Sequence, residues 1–130
     1  MAEQLLRLRD PVHGFIHISP KELKLVESPP FRRLRNIKQL ALTYLVYPGA
    51  MHSRFEHSLG VMELASKAFD ALKTRFESEL RENFNKLGMS LDEARTLLRV
   101  TALLHDVGHL PFSHGDERVA EESGRQADET

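Results

Sequence analysis

Between Leu104 and His114 the chain reads L-H-D-V-G-H-L-P-F-S-H, gathering three histidines, one aspartate, a glycine and a proline into eleven positions. Imidazole nitrogen and carboxylate oxygen are donors that suit divalent cations, so the pattern raises metal chemistry first. His105 and Asp106 are neighbours, and on a regular helix neighbouring side chains diverge by about 100°. At the last turn of a helix the two can converge. Gly108 supplies the stop, as glycine commonly does just past a helix end, and Pro111 keeps the helix from resuming. A lone His-Asp pair also serves as an ordinary surface or capping pair, so the metal reading needs a further ligand.

His57 offers that ligand. Ser53-Arg54-Phe55-Glu56 is a capping box that opens the longest predicted helix, from Arg54 to about Leu80, with His57, Val61, Leu64, Ala68 and Leu72 on one face. Asn83 to Gly88 reads as a loop. Ser90-Leu91-Asp92-Glu93 is another capping box. The helix it starts carries Ala94, Leu97, Leu98, Thr101, Leu104 and His105 on one face and ends by Gly108. Two antiparallel helices, each with a histidine on its apolar face, bring His57 and His105 together. Two imidazoles and one carboxylate suit manganese, iron, zinc, nickel, cobalt or magnesium better than calcium, and three protein ligands leave positions open. An open position lets the cation lower the pKa of a water toward about 7, which is hydrolytic chemistry.

Shorter elements must frame this pair. Leu5 to Leu8 and Phe15 to Ile18 alternate apolar and polar residues around Asp10-Pro11-Val12-His13-Gly14, a β-hairpin pattern in which His13 is a turn or packing residue. Ser19-Pro20-Lys21-Glu22 is a further capping box, starting a short helix that ends near Glu27. Ser28-Pro29-Pro30 breaks it, and Phe31 to about Leu40 reads as another helix, with Leu34, Ile37 and Lys38 at helical spacing. Arg32, Arg33, Arg35 and Lys38 form the densest basic cluster, read either as a solvated helix face or as a phosphate or nucleotide site. Residues 41–47 fit a helix end or an extended segment. From Gly115 to Thr130 the chain is polar and acid-rich, with too little apolar surface to bury by itself.

With 130 residues the chain suits one compact domain. It contains no cysteine, which excludes disulfides, zinc ribbons and thiol catalysis. No apolar run approaches the roughly 18 residues of a membrane helix, and the polar start has no leader pattern, so a soluble cytoplasmic protein without membrane contact is expected. The net charge of −1 gives no whole-molecule attraction to nucleic acid and leaves that partner open. Basic residues dominate up to Gly60 and acidic ones after it.

The order of His57 and then His105-Asp106 resembles the H…HD signature of the HD-domain metal-dependent phosphohydrolases. D-P-V-H-G at Asp10 to Gly14, F-R-R-L-R-N-I-K-Q-L at Phe31 to Leu40, Y-P-G-A-M-H-S-R-F-E-H-S-L-G-V at Tyr47 to Val61 and H-D-V-G-H-L-P-F-S-H at His105 to His114 are similar to the deoxynucleoside triphosphate triphosphohydrolases of that superfamily. The resemblance implies an all-α helical bundle with a short N-terminal hairpin, incomplete at its C-terminal side. It makes residues 1–114 the N-terminal part of the phosphohydrolase domain and 115–130 the continuation of a truncated chain. It implies that His57, His105 and Asp106 ligate the metal, that Arg54 contacts substrate phosphate, and that Gln39 and Leu40 touch the deoxyribose. His109 and His114 would line the triphosphate channel and act catalytically on phosphate charge or the leaving 5′ oxygen. The implied reaction is attack of an activated water at the α-phosphorus of a dNTP, releasing a deoxynucleoside and inorganic triphosphate.

Departures matter too. The family adds a later aspartate ligand and a later catalytic histidine, whereas the only later aspartates here are Asp116 and Asp128, both in the polar tail. A rival reading follows: a catalytically incomplete nucleotide-binding or homo-oligomer assembly module, with Glu27, Arg32 and Arg35 as its candidates by the same resemblance.

Overall fold

The computed structural model describes residues Leu6 to Pro111; His114 and the expected tail lie outside the described residues. Strands β1 (Leu6–Asp10) and β2 (Gly14–Ile18) pair antiparallel, Leu6 opposite Ile18 and Asp10 opposite Gly14. Asp10 Oδ1 accepts from the backbone N–H groups of Val12 and His13 at 2.8 Å, and Gly14 takes φ of 77°, so aspartate and glycine together set the turn. Period-two alternation then sends Ile16 and Ile18 into the core. Helix α1 (Pro20–Val26) starts at the expected capping box: Ser19 Oγ accepts from Glu22 N–H while Glu22 accepts from Ser19 N–H.

The next segment departs from its pattern. Instead of one helix from Phe31 to about Leu40, α2 spans Pro29–Arg32 and tightens into a 3₁₀ turn at Arg33–Asn36. Pro29, read as a breaker, is also the first helical residue of α2. Helix growth stops because tertiary pairing wins: Lys38 bridges antiparallel to Ser53, Gln39 N–H donates to His52 O at 3.1 Å, and Arg54 N–H donates to Ile37 O at 2.8 Å. Phe31, Leu34 and Ile37 still enter the core, three residues apart as a 3₁₀ turn allows. The segment left open contains a short 3₁₀ turn at Thr43–Leu45.

Helix α3 (Arg54–Lys86) is longer than expected and kinks at Phe76, where φ is −134° and ψ 38°. The loop expected from Asn83 starts only after Lys86. Phe84, packed with Phe69, Leu91, Ala94 and Met89 in a small second cluster, holds those last turns in place. Helix α4 (Leu91–Leu104) returns antiparallel to α3. Asp70 and Arg95 pair bidentately along that seam, and His57 and His105 meet at its end.

The buried faces are rotated from the expected ones. On α3 they comprise Phe55, Ser58, Leu59, Met62, Ser66 and Phe69, while Leu64 and Leu72 remain exposed; on α4, Leu91, Ala94, Arg99, Ala102 and Leu103 are buried, while Leu97 and Leu98 are exposed. Ser58, Ser66 and Arg99 are polar, so an apolar stripe could not mark these faces. Mostly helical with one hairpin, the architecture matches the expected class. No helix among the described residues is long and apolar enough to cross a membrane.

Ser53 is buried, and its capping box fixes the first turn of α3, where Arg54 and His57 reside. Ser53→Ala is expected to cost about 1 kcal/mol of unfolding free energy. Denaturant titration followed by circular dichroism measures this; an unchanged midpoint would deny the cap its role.

Candidate metal centre

The Asp106 carboxylate is a hub. It is 5% exposed and sits in the turn that follows α4. Its Oδ2 accepts from Arg54 Nη1 at 2.8 Å and lies 3.8 Å from His57 Nε2. Its Oδ1 lies 3.4 Å from His105 Nε2 and 3.5 Å from His109 Nε2. The rings of His57 and His105 meet edge to face with centroids 5.2 Å apart. One donor atom from each of His57, His105 and Asp106 lies within 4.8 Å of the others, close enough to hold one ion.

His105 Nδ1 stands 2.7 Å from the carbonyl of Ala102. A carbonyl only accepts, so Nδ1 carries a proton, and in the neutral ring Nε2 is the nitrogen that has the lone pair, on the side of Asp106. This backbone orientation of a histidine is the support that metal-ligating imidazoles generally have. The surroundings of His57 favour its neutral form. Burial lowers its pKa below the ordinary 6.5; Asp106 opposes that, and the charges of His105, Arg54 and His52 reinforce it. Neutral imidazole is the form that ligates. The donor set therefore fits a divalent cation.

A ring-proton titration of His57 in the metal-free protein should show a midpoint below 6.5. The unfolded chain takes this proton more readily, so the His57 contribution to stability is lost as pH falls from 6.5 through the folded value. A midpoint above 6.5 would contradict the geometry.

The other candidates fall in different places. Arg54 is buried on Asp106 rather than reaching open solvent. His109 joins the same carboxylate with its side chain 27% exposed. Gln39 is half-buried, its Oε1 without a hydrogen-bond partner among the described residues, and Leu40 is 46% exposed. Glu27, Arg32 and Arg35 line a separate cleft of about 620 Å³. Another, of about 650 Å³, runs from the hairpin turn at Asp10 and His13 past His52 and Glu56 to His57. His13 packs against Gly60, where a Cβ would stand 2.9 Å from its Nε2, in keeping with a packing role. Sequence reading missed Arg99, buried at 8% exposure on Glu22, Ser66 and the carbonyl of His17. Its signal was a basic residue amid the apolar residues of α4.

A helical pair that closes two imidazoles and a carboxylate at one end defines a class, the helical metal-binding domains with an H…HD signature. Comparison with known proteins agrees: the family described as HD domain matches residues 54–129. The chain belongs to the HD domain family, in its branch resembling the deoxynucleoside triphosphate triphosphohydrolases. It is 48% identical over 107 residues to uncharacterized protein MJ1154 of Methanocaldococcus jannaschii, covering 82% of this chain and 20% of that protein. It is 40% identical over 126 residues to deoxynucleoside triphosphate triphosphohydrolase SAMHD1 of Danio rerio, covering 97% of this chain and 19% of that one. A crystal structure of a hypothetical protein from Aquifex aeolicus aligns with TM-score 0.69 and 38% identity, covering 88% of this chain and 26% of that chain. The chain thus spans about a fifth of the length of these curated relatives.

Proposed function

We propose that this chain contributes the metal-binding part of a phosphohydrolase that splits dNTPs into deoxynucleoside and inorganic triphosphate. The observation that carries the reading is the convergence of His57, His105 and Asp106 within 4.8 Å, with the tautomer of His105 set by Ala102. A divalent cation held there, such as manganese, iron, zinc, nickel, cobalt or magnesium, supplies Lewis acidity toward a phosphoryl oxygen and a water. Arg54 adds a fixed positive charge beside it, where anionic phosphate gains from the field. His109, whose Nε2 lies 3.5 Å from Asp106 Oδ1, would donate a proton to the leaving 5′ oxygen, and His114 would assist. Gln39 would contact the deoxyribose, while the apolar Leu40 would leave a ribose 2′ hydroxyl without a partner. The SAMHD1 relatives, named as deoxynucleoside triphosphate triphosphohydrolases, support that substrate class. A further carboxylate would complete the coordination, and a cytoplasmic working location is part of this proposal. The test is dNTP turnover with added Mn²⁺, comparing the intact chain with Asp106→Ala; equal rates would refute the reading.

A second reading rests on a different observation: Glu27, Arg32 and Arg35 share one cleft, and the Arg35 guanidinium lies 3.8 Å above the Phe55 ring, next in sequence to Arg54. This cleft would take a nucleotide that promotes homo-oligomer assembly. Saturable nucleotide binding in chelator, lost in Arg35→Ala, is expected; no binding by the intact chain would remove the reading.

A further inference from the structure

We propose that Arg33 is a positioning residue for the metal centre, clamping the turn that carries Asp106 and His109 through the backbone carbonyl of Val107. The proposal rests on the metal reading of His57, His105 and Asp106. Helix α4 ends at Leu104, so Asp106 and His109 sit on a turn rather than on a helix. Within that turn Val107 N–H donates to Leu104 O, and His109 N–H donates to Asp106 O, each at 3.1 Å. Helical continuation would satisfy the Val107 carbonyl with the N–H four residues on, but that residue is Pro111, which has none. A carbonyl so placed takes its donor from water or from elsewhere in the chain. Arg33 Nη2 supplies it at 2.8 Å, from 74 residues away in sequence.

The base of this clamp is anchored in the core. Arg33 opens the 3₁₀ turn whose Leu34 is fully buried, and Phe31, two residues earlier, is fully buried against the edge of Phe55 at 5.4 Å. Arg35, two residues on, covers the other part of Phe55. The same ring follows Arg54, whose guanidinium holds Oδ2 of Asp106. The turn is therefore held twice from the first half of the chain: at the Asp106 side chain through Arg54 and at the Val107–Gly108 peptide through Arg33. The cation affinity of such a site depends on where the carboxylate stands relative to two imidazoles, and loss of outer supports commonly costs about 10–100-fold in metal affinity. Arg33 is exposed, so the lower end of that range, about tenfold, is expected.

The experiment compares the intact chain with Arg33→Ala, Arg33→Lys and the remote surface control Arg81→Ala, in two measurements. Ring-proton spectra without metal should show the His105 and His109 signals displaced in Arg33→Ala, partly restored in Arg33→Lys, and unmoved in Arg81→Ala. Calorimetric titration with Mn²⁺, well below the unfolding temperature of each variant, should show about tenfold weaker binding for Arg33→Ala, with recovery in Arg33→Lys. Unmoved ring signals in Arg33→Ala, or Mn²⁺ affinity equal to that of the intact chain, would overturn the clamp. If the intact chain takes no Mn²⁺, the metal reading falls and with it the positioning role, whereas displaced ring signals would still identify the contact as structural.

Discussion

Arg99→Ala is expected to lower the unfolding free energy by about 3–5 kcal/mol, the usual consequence of stranding one partner of a buried ion pair. For a chain of this size, that moves the thermal midpoint by roughly 10–20 °C. Arg99 bonds Glu22 with Nε and Nη2, Ser66 Oγ with Nη1 at 2.6 Å, and the carbonyl of His17 with Nη2 at 2.8 Å. One guanidinium thus fastens β2, α1 and α3 to α4. Without it the Glu22 carboxylate, 4% exposed, faces an apolar interior. Two further measurements separate the pair from mere packing. Replacing both partners, as Glu22→Leu with Arg99→Met, should recover most of the loss, because no charge is then left unpaired. The acid limb should also change. Burial works to raise the Glu22 pKa, but the hydrogen bonds and charge of Arg99, with those of Ser19, hold it below the ordinary 4.5. Stability from that group is present above 4.5 and is lost as pH falls through the folded value, so Arg99→Ala should flatten this dependence. Urea unfolding between pH 3 and 7, followed by circular dichroism, reads all three. A loss under 1 kcal/mol in Arg99→Ala would show that the interior admits water to Glu22.

What the sequence shows and what it hides divide along the range of the interactions. Ser19 with Glu22, Ser53 with Glu56 and Ser90 with Glu93 each close a capping box within three residues, and Asp10 closes its turn within the hairpin. Those starts were legible because both partners lie inside one short window. The end of α2 was not, since Lys38 stops being helical to pair with Ser53, across a segment that has no pattern of its own. The rotation of α3 and α4 was hidden for a related reason. Ser66 and Arg99 are separated by 33 residues and Glu22 and Arg99 by 77; each residue alone reads as surface. The candidate site sits between these cases. His57, His105 and Asp106 were legible by donor type and by two helix ends that had to meet. That Arg54 is spent on Asp106, and that His109 shares the same carboxylate, follows from how the turn after α4 folds back.

Asp106→Ala is expected to weaken divalent-cation binding by more than about a hundredfold, since losing only an outer support already costs about 10–100-fold. The variant removes the single carboxylate among the three donors, and with it an anionic charge that faces the imidazoles of His57, His105 and His109 and the guanidinium of Arg54. Arg54, 4% exposed, would also lose this contact to a carboxylate, worth about 1.5–3 kcal/mol for a hydrogen bond between charged groups. Asp106→Asn distinguishes the two roles. Its amide oxygen can still accept from Arg54 Nη1, so most of the fold stability should remain, whereas a neutral amide competes poorly with water for a divalent cation. Mn²⁺ titration by calorimetry and urea unfolding in chelator, run on the intact chain and both variants, should therefore separate them. Metal binding falls in both, while stability falls chiefly in Asp106→Ala. If Asp106→Asn loses as much stability as Asp106→Ala, the negative charge itself is what Arg54 needs, and the carboxylate is there for the fold as much as for the cation. If Asp106→Ala binds Mn²⁺ like the intact chain, the carboxylate belongs to Arg54 alone, and the metal centre assigned to this end of the α3–α4 pair is wrong.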